Sequence, residues 1–285
     1  MSRVRRPASA PGAPDAAKKR PAEAAGKRHG IARILSKRGL CSRTEAAEWV
    51  RAGRVRLGAR VVRDPEFPVA PGRDDILVDG VPLAASAPLY LMLNKPRGLV
   101  TTARDERGRD TVYRCFDGAT LDGAPLPWLA PVGRLDQASE GLLLFSNDPA
   151  WAARITDPAT GPCKTYRVQV DRIPSPDELA ALRAGTHVEI EGRRVQIAAA
   201  QAGLLRAGTR NAWLEIVLDE GRNRQIRRLL QAFDLATLRL IRVAVGGLVL
   251  GDLAKGAWRV LSAEDLARLQ RTPACAAEVV PETLG

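Results

Sequence analysis

The chain has 285 residues, with 44 Lys and Arg against 32 Asp and Glu, for a formal net charge of +12. That length leaves room for one sizeable core and a smaller module, on a prior of about 100–200 residues per domain. No apolar run approaches the ~18 residues of a membrane span and the N-terminus has no apolar signal core, so neither a membrane protein nor a secreted one is expected. The four cysteines, Cys41, Cys115, Cys163 and Cys275, lie far apart and have no neighbouring histidines, which indicates neither a zinc site nor a disulfide framework. A reducing cytoplasm is the simplest setting, with an organelle transit peptide as the alternative for residues 1–28.

Charge is unevenly spread. Residues 1–80 hold 18 basic and 9 acidic residues, so this stretch carries +9 and leaves +3 for the remaining 205. An excess of positive charge at one end suggests an anionic polymer as partner, most simply nucleic acid. Residues 1–29 are a low-complexity basic tail with almost no large apolar side chains, and are predicted disordered. From Ile31 the spacing of Ile31, Ala32, Ile34 and Leu35 predicts a helix that stops at Gly39. A second helix starts at once, because Ser42 and Glu45 make a Ser-x-x-Glu capping box ahead of Ala46, Ala47 and Val50, and Gly53 ends it. Short strands follow at Val55–Leu57, Arg60–Val62 and Ile76–Val78. Residues 31–80 therefore read as a compact module of two helices and short strands.

A connector around Pro82–Pro88 leads to a larger domain, residues 88–270, and residues 271–285 read as a loose C-terminal tail. The domain opens with the apolar strand Leu89–Leu93 and the sequence Asn94-Lys95-Pro96-Arg97-Gly98. Further strands are predicted at Leu142–Phe145, Tyr166–Val170, Val188–Ile190, Val195–Ile197, Trp213–Leu218 and Leu238–Val245, each short and rich in branched or aromatic residues. Helices are predicted at Asp177–Arg183, Asn223–Phe233 and Ala263–Leu269. Strands outnumber helices without regular alternation, which argues for an α+β domain with a mixed sheet.

The chemistry-bearing segment is Gly133 to Asp148, in which the Gln-Ala-Ser-Glu-Gly turn places Asp136 on a loop braced by the apolar strand behind it. Such a loop can hold a reactive group still. By residue type alone Asp136 is more simply a turn residue. In the predicted helix 223–233, Ile226, Leu229, Leu230 and Phe233 form the core face, while Arg224, Arg227, Arg228 and Gln231 share another face. With only His29 and His187 in the chain, histidine general-base chemistry is disfavoured, and there is no phosphate-binding glycine loop, dinucleotide fingerprint or metal-ligand cluster.

Four segments in order, Asn94-Lys95-Pro96, Gly133-Arg134-Leu135-Asp136, Lys164-Thr165-Tyr166 and Gln225-Ile226-Arg227, resemble the motifs of pseudouridine synthases of the RsuA/RluB/RluE/RluF branch, which modify ribosomal RNA. Residues 31–80 resemble the alpha-L RNA-binding domain of a primary rRNA-binding ribosomal protein and of bacterial tyrosyl-tRNA synthetases. The resemblance implies an isomerase with a bent, mainly antiparallel sheet and its cleft across the middle. It implies Asp136 as the essential group, Arg227 as its ionic partner, and Tyr166 stacked on the target uracil. Arg134 becomes a candidate wedge in place of the extruded base, Leu240 the pocket floor, and Lys95 a mainly architectural residue with a weak claim on RNA. Arg33, Lys37, Arg38, Arg43, Arg51, Arg54 and Arg56 would line the RNA face of the first module. Arg224 and Arg228 are further RNA candidates whose simpler reading is a solvated basic face. No cofactor or metal is implied, and a monomer acting on ribosomal RNA or a pre-ribosomal particle is expected. The catalytic half looks most like RluE, which favours the large subunit. Whether Asp136 attacks the sugar carbon or stabilises positive charge on it stays open. The competing readings are a ribosome-assembly factor that keeps the fold without catalysis, and an RNA methyltransferase, for which a glycine-rich cofactor loop is missing.

Overall fold

The computed structural model describes residues 28–270 apart from 71, 74 and 84–86. The expected tails, except Arg28 and His29, and the middle of the connector therefore lie outside the described residues. His29–Gly30 departs from the expected disorder: it pairs antiparallel with Pro68–Val69, so the ordered module begins before Ile31.

Helix α1 (Ile31–Lys37) ends as read, with Gly39 at φ +74°. In α2 (Arg43–Arg51) the Ser42 hydroxyl accepts the Glu45 amide at 3.1 Å, which satisfies one of the free amides of the first turn. Strands β1 (Val55–Leu57), β2 (Arg60–Val62), β3 (Ile76–Val78) and β4 (Val81–Pro82) form one antiparallel sheet in the order β2-β1-β3-β4. Ile31, Leu35, Ala46, Val50, Val55 and Ile76 are fully buried between helices and sheet, so this module has its own core. Gly39 rests on Asn147 of the larger domain, where a Cβ would come 2.8 Å from the Asn147 Cβ. Asn147 is itself fixed, accepting the Leu89 amide at 2.8 Å and donating to the Ala87 carbonyl at 2.9 Å.

The larger domain is built on a nine-stranded sheet. Its strands are β5 (Tyr90–Lys95), β6 (Ala130–Val132), β7 (Glu140–Ser146), β8 (Lys164–Val170), β11 (Gln201–Ala207), β12 (Ala212–Leu218), β13 (Thr237–Val245), β14 (Leu248–Val249) and β15 (Trp258–Val260), while β9 (Thr186–Ile190) and β10 (Arg193–Ile197) form a separate hairpin. The path runs β11-β12-β8-β13-β7-β5-β15, with β6 on β7 and β14 on β13. Every pair is antiparallel except β7 with β13. Fold class and sheet type thus match the expectation of an α+β chain with a mixed, mainly antiparallel sheet.

Three helices fall near their predicted places: α4 (Pro176–Ala184), α5 (Gln225–Gln231) and α6 (Ala263–Gln270). A fourth, α3 (Pro149–Thr156), was not anticipated, although Asp148 caps it and Pro149 opens it. Strand β11 (Gln201–Ala207), which is not among the predicted strands, pairs with β12. Cys163 is disulfide-bonded, against expectation, whereas Cys41 and Cys115 are free. Among the described residues no helix is long and apolar enough to cross a membrane.

Strand β7 is the spine. All seven of its residues are buried, with Leu142, Leu143 and Phe145 at 0% exposure. At about 1.5–3 kcal/mol for each large apolar side chain taken out of water, this run resists displacement. Its odd and even positions feed different clusters: Leu142 and Leu144 pack toward Trp151 and Ile155, Leu143 and Phe145 toward Val112 and Leu129. That two-sided burial explains an apolar run without alternation.

Candidate active site

Asp136 lies on the loop between β6 and β7, two strands that pair with each other. Each loop residue from 135 to 139 has its carbonyl engaged. Leu135 O accepts the Thr101 hydroxyl at 2.7 Å, Asp136 O the Ser139 amide at 3.0 Å, Gln137 O the Gly98 amide at 2.8 Å, Ala138 O the Arg227 guanidinium at 3.3 Å, and Ser139 O the Lys95 ammonium at 2.8 Å. A loop tied at four carbonyls to other segments, and closed on itself at the fifth, presents its side chain at a fixed place.

Lys95 is a correction to the list of RNA contacts. It is completely buried, its Nζ also donating to Pro96 O at 3.1 Å, and burial lowers it to about 8 against the pull of nearby Asp136. A side chain committed inside the protein cannot reach a phosphate.

The loop ends at Gly141, and only glycine fits there. Its φ is +101°, and a Cβ would stand 2.2 Å from the Arg242 carbonyl oxygen. The close approach sets up the parallel register Gly141↔Arg242, and Arg242 in turn faces Tyr166 on β8. Gly141, Arg242 and Tyr166 therefore form one row across three strands, and the ladder shifts register between Thr165 and Tyr166.

Above this row is a cavity of about 690 Å³ bounded by Asp136, Tyr166, Leu240, Arg134, Arg227 and Arg242. The volume falls within the ~300–1,000 Å³ common for small-molecule sites. The structure thus gathers Asp136, Tyr166, Arg227, Arg134 and Leu240, five residues singled out from sequence, around one space. A second hollow of about 420 Å³, lined by Arg97, Gln137 and Arg224, also borders Asp136.

The ionic partner of Asp136 differs from the expected one. Arg224 Nη1 stands 3.5 Å from Asp136 Oδ2, and their side chains are 50% and 33% exposed. Arg227 instead donates to Ala138 O and, at 3.5 Å, to Thr237 O, and its Nε is buried without a hydrogen bond. It is near enough for the Asp136 charge to be felt, but burial, and next the positive charge of Arg224, lower its proton affinity. The reason is local geometry. Helix α5 begins at Gln225, not at Asn223, and Arg224 is left-handed at φ +52°, which takes it off the helix face and toward Asp136. Gln225 fixes this turn: its buried side chain accepts the Arg222 amide at 3.1 Å and donates to Ala198 O at 3.1 Å and Glu220 at 2.9 Å. The four-residue polar face read for 224, 227, 228 and 231 therefore does not form. Arg228 is also committed, donating to Glu189 O at 2.8 Å and so fastening the β9–β10 hairpin to α5, in place of an open RNA contact.

Glu140 was missed. It is 5% exposed in its side chain and sits between Arg239 at 2.7 Å and Lys255 at 3.0 Å, next to the loop end. Arg242 and Lys164, both on the cavity wall, were also not singled out as site residues. A signal existed for them, since two-residue alternation puts Lys164 on the face of Tyr166 within one strand and Arg242 on the face of Leu240 within another.

In the N-terminal module Arg33, Lys37, Arg51 and Arg56 are exposed, and none makes an ion pair among the described residues. Arg43 pairs with Glu66 at 3.1 Å, and Arg38 donates to Arg73 O at 2.5 Å. Arg54 is a correction: it grips Asp79 with two nitrogens at 3.0 and 2.5 Å and lies 4.8 Å over the Trp49 ring, which reads as a structural clasp closing the sheet onto α2.

Known proteins share both domains of this chain. Residues 89–232 match the family model described as RNA pseudouridylate synthase, and residues 30–75 match the S4 domain. The chain is 32% identical over 242 residues to the ribosomal large subunit pseudouridine synthase B of Bacillus subtilis, covering 84% of this chain and 95% of the relative. It is 34% identical over 183 residues to the ribosomal large subunit pseudouridine synthase E of Vibrio vulnificus, covering 60% and 74% respectively. A crystal structure of a pseudouridylate synthase superposes with a TM-score of 0.56 at 26% identity, covering 86% of this chain and 100% of that one. The chain belongs to the RNA pseudouridylate synthase family and carries an S4 domain at its N-terminal end.

Proposed function

We propose that this enzyme isomerises a specific uridine of ribosomal RNA, in the large subunit, to pseudouridine, with Asp136 as the essential group. The observation that supports this best is the placement of Asp136, on a loop with five carbonyls engaged, facing Tyr166 and Leu240 across a cavity large enough for one nucleotide. The names of the relatives point to the large subunit. In the reaction the bond from ribose C1′ to uracil N1 breaks, the base turns, and a C1′ to C5 bond forms. The C5 proton leaves and N1 gains one, so nothing is consumed.

Each side chain then has a place. Asp136 meets the sugar carbon, either as nucleophile or by balancing positive charge there. Arg224 and Arg227 surround its loop with positive charge. Tyr166 lies against the base, Leu240 closes the floor, and Arg134 at the rim fills the stack that the base vacates. Extrusion of the base is required, because the bond to be cut is inaccessible in folded RNA. Arg33, Lys37, Arg51 and Arg56 supply phosphate contacts that carry no sequence information.

Carbodiimide mapping of ribosomal RNA from cells with the gene, without it, and with an Asp136→Asn version tests the reading. Loss of one large-subunit pseudouridine in both altered strains supports it. A change confined to small-subunit RNA would overturn the substrate. Unchanged maps would favour an assembly factor that does not catalyse.

A further inference from the structure

Lys164 and Arg242 stand on one wall of the cavity, on the adjacent strands β8 and β13. Lys164 is two residues before Tyr166 on the same strand face, and Arg242 is the residue directly opposite Tyr166. Arg242 is 6% exposed. Its Nε donates to Leu142 O at 2.7 Å, but its two Nη groups make no hydrogen bond among the described residues, and the residue borders the cavity. Lys164 is half-buried and makes no ion pair among the described residues. The two cations feel each other, for burial and then the charge of Arg242 lower the proton affinity of Lys164, which only Asp219 opposes.

Two like charges held together in a poorly solvated wall, with donors left over, are costly unless an anion completes the site. The carboxylates bordering the same cavity are taken elsewhere: Asp136 faces Arg224 at 3.5 Å, and Glu220 holds Arg222 at 2.7 Å. Arg242 cannot move to follow a distant ligand, because Leu142 O pins its Nε and the Gly141 contact fixes its backbone. A planar guanidinium anchored at one nitrogen and presenting two others suits a phosphate, and the ammonium beside it adds a second charge.

We propose that Lys164 and Arg242 form a phosphate subsite that takes a backbone phosphodiester next to the extruded nucleotide, positioning its sugar over Asp136. This rests on the isomerase reading for the identity of the strand, but the subsite is testable by binding alone. The probe is a fluorescein-labelled oligouridylate of about a dozen residues, with affinity read by anisotropy across a chloride series. Each lost phosphate contact on single strands lowers the logarithmic salt slope by about 0.7. Lys164→Met and Arg242→Met should each lower it by about that amount and weaken binding, while Arg242→Lys, which keeps the charge, should keep the slope. Inorganic phosphate should compete with the oligomer at matched ionic strength in the wild type and lose that advantage in Lys164→Met. If phosphate competes but the slopes of both Met variants equal that of the wild type, the site is one for a free anion and the proposal falls. Equal slopes with no phosphate competition overturn it also. Should Arg242→Met fail to fold, Lys164→Met and Arg242→Lys decide the matter. A wild type that binds with these slopes yet releases no tritium from C5-labelled rRNA would refute the isomerase reading and leave the subsite standing.

Discussion

Replacing Glu140 by Gln keeps its shape and removes one buried negative charge between Arg239 and Lys255. In the native chain these partners, Arg239 first, hold the Glu140 carboxyl down from 4.5 to about 2. Each tenfold change in proton affinity is worth about 1.36 kcal/mol, which gives about 3 kcal/mol in favour of the folded state. Screening at Lys255, whose side chain is 61% exposed, brings the figure to about 2–3 kcal/mol. For a domain of this size ~1 kcal/mol moves Tm by about 2–4 °C, so Glu140→Gln should melt about 4–12 °C below the wild type at pH 7. The sign of the pH dependence follows from a depressed carboxylate. Its contribution is complete above the unfolded value near 4.5 and is lost as pH falls toward 2. The gap between wild type and variant should therefore close between those limits. Circular dichroism melts at stepped pH read this directly. A gap under ~2 °C at neutral pH, or one that persists undiminished at pH 3, would refute the assignment of Glu140 as a stabilising ion pair.

Gly141→Ala should be far more damaging than its size suggests, because the added Cβ meets the Arg242 carbonyl at 2.2 Å; soluble protein with an unchanged Tm would contradict the close-approach argument. Arg224→Met and Arg227→Met should each slow single-turnover isomerisation, the first by removing the counter-charge at 3.5 Å and the second by freeing Ala138 O, and a double-mutant cycle should show at least ~0.5 kcal/mol of coupling. Strict additivity would mean that the two arginines do not share the Asp136 loop. Arg33→Met with Lys37→Met, both exposed on α1, should weaken binding to rRNA fragments and flatten its salt dependence, whereas Arg54→Met should lower Tm.

Much of this was legible in the residues, and the misses have physical causes. The apolar run Leu142–Phe145 announced a strand buried on both faces, and the loop before it announced Asp136, because both signals are local. Arg224 was misread because a helical wheel assumes helical φ at every position, while the Gln225 side chain ties the chain into a left-handed turn one residue earlier. The weak claim of Lys95 on RNA fails because the carbonyls of Pro96 and Ser139 take it inside, which leaves the mainly architectural part of its reading. Glu140, Lys164 and Arg242 were not singled out. Their partners come from far away in sequence, brought together by the parallel β7–β13 register and the β8–β13 pairing, so strand alternation marks the face that Lys164 and Arg242 lie on but not what that face meets.

Catalysis by Asp136 is tested most directly by tritium release from C5-labelled large-subunit rRNA under single-turnover conditions, comparing the wild type with Asp136→Asn. The asparagine nearly preserves the shape and leaves the loop carbonyls engaged, so RNA affinity should stay within about threefold, a difference below ~1 kcal/mol. The wild type should release tritium and the variant none that can be measured. Release by Asp136→Asn within tenfold of the wild-type rate would contradict the account.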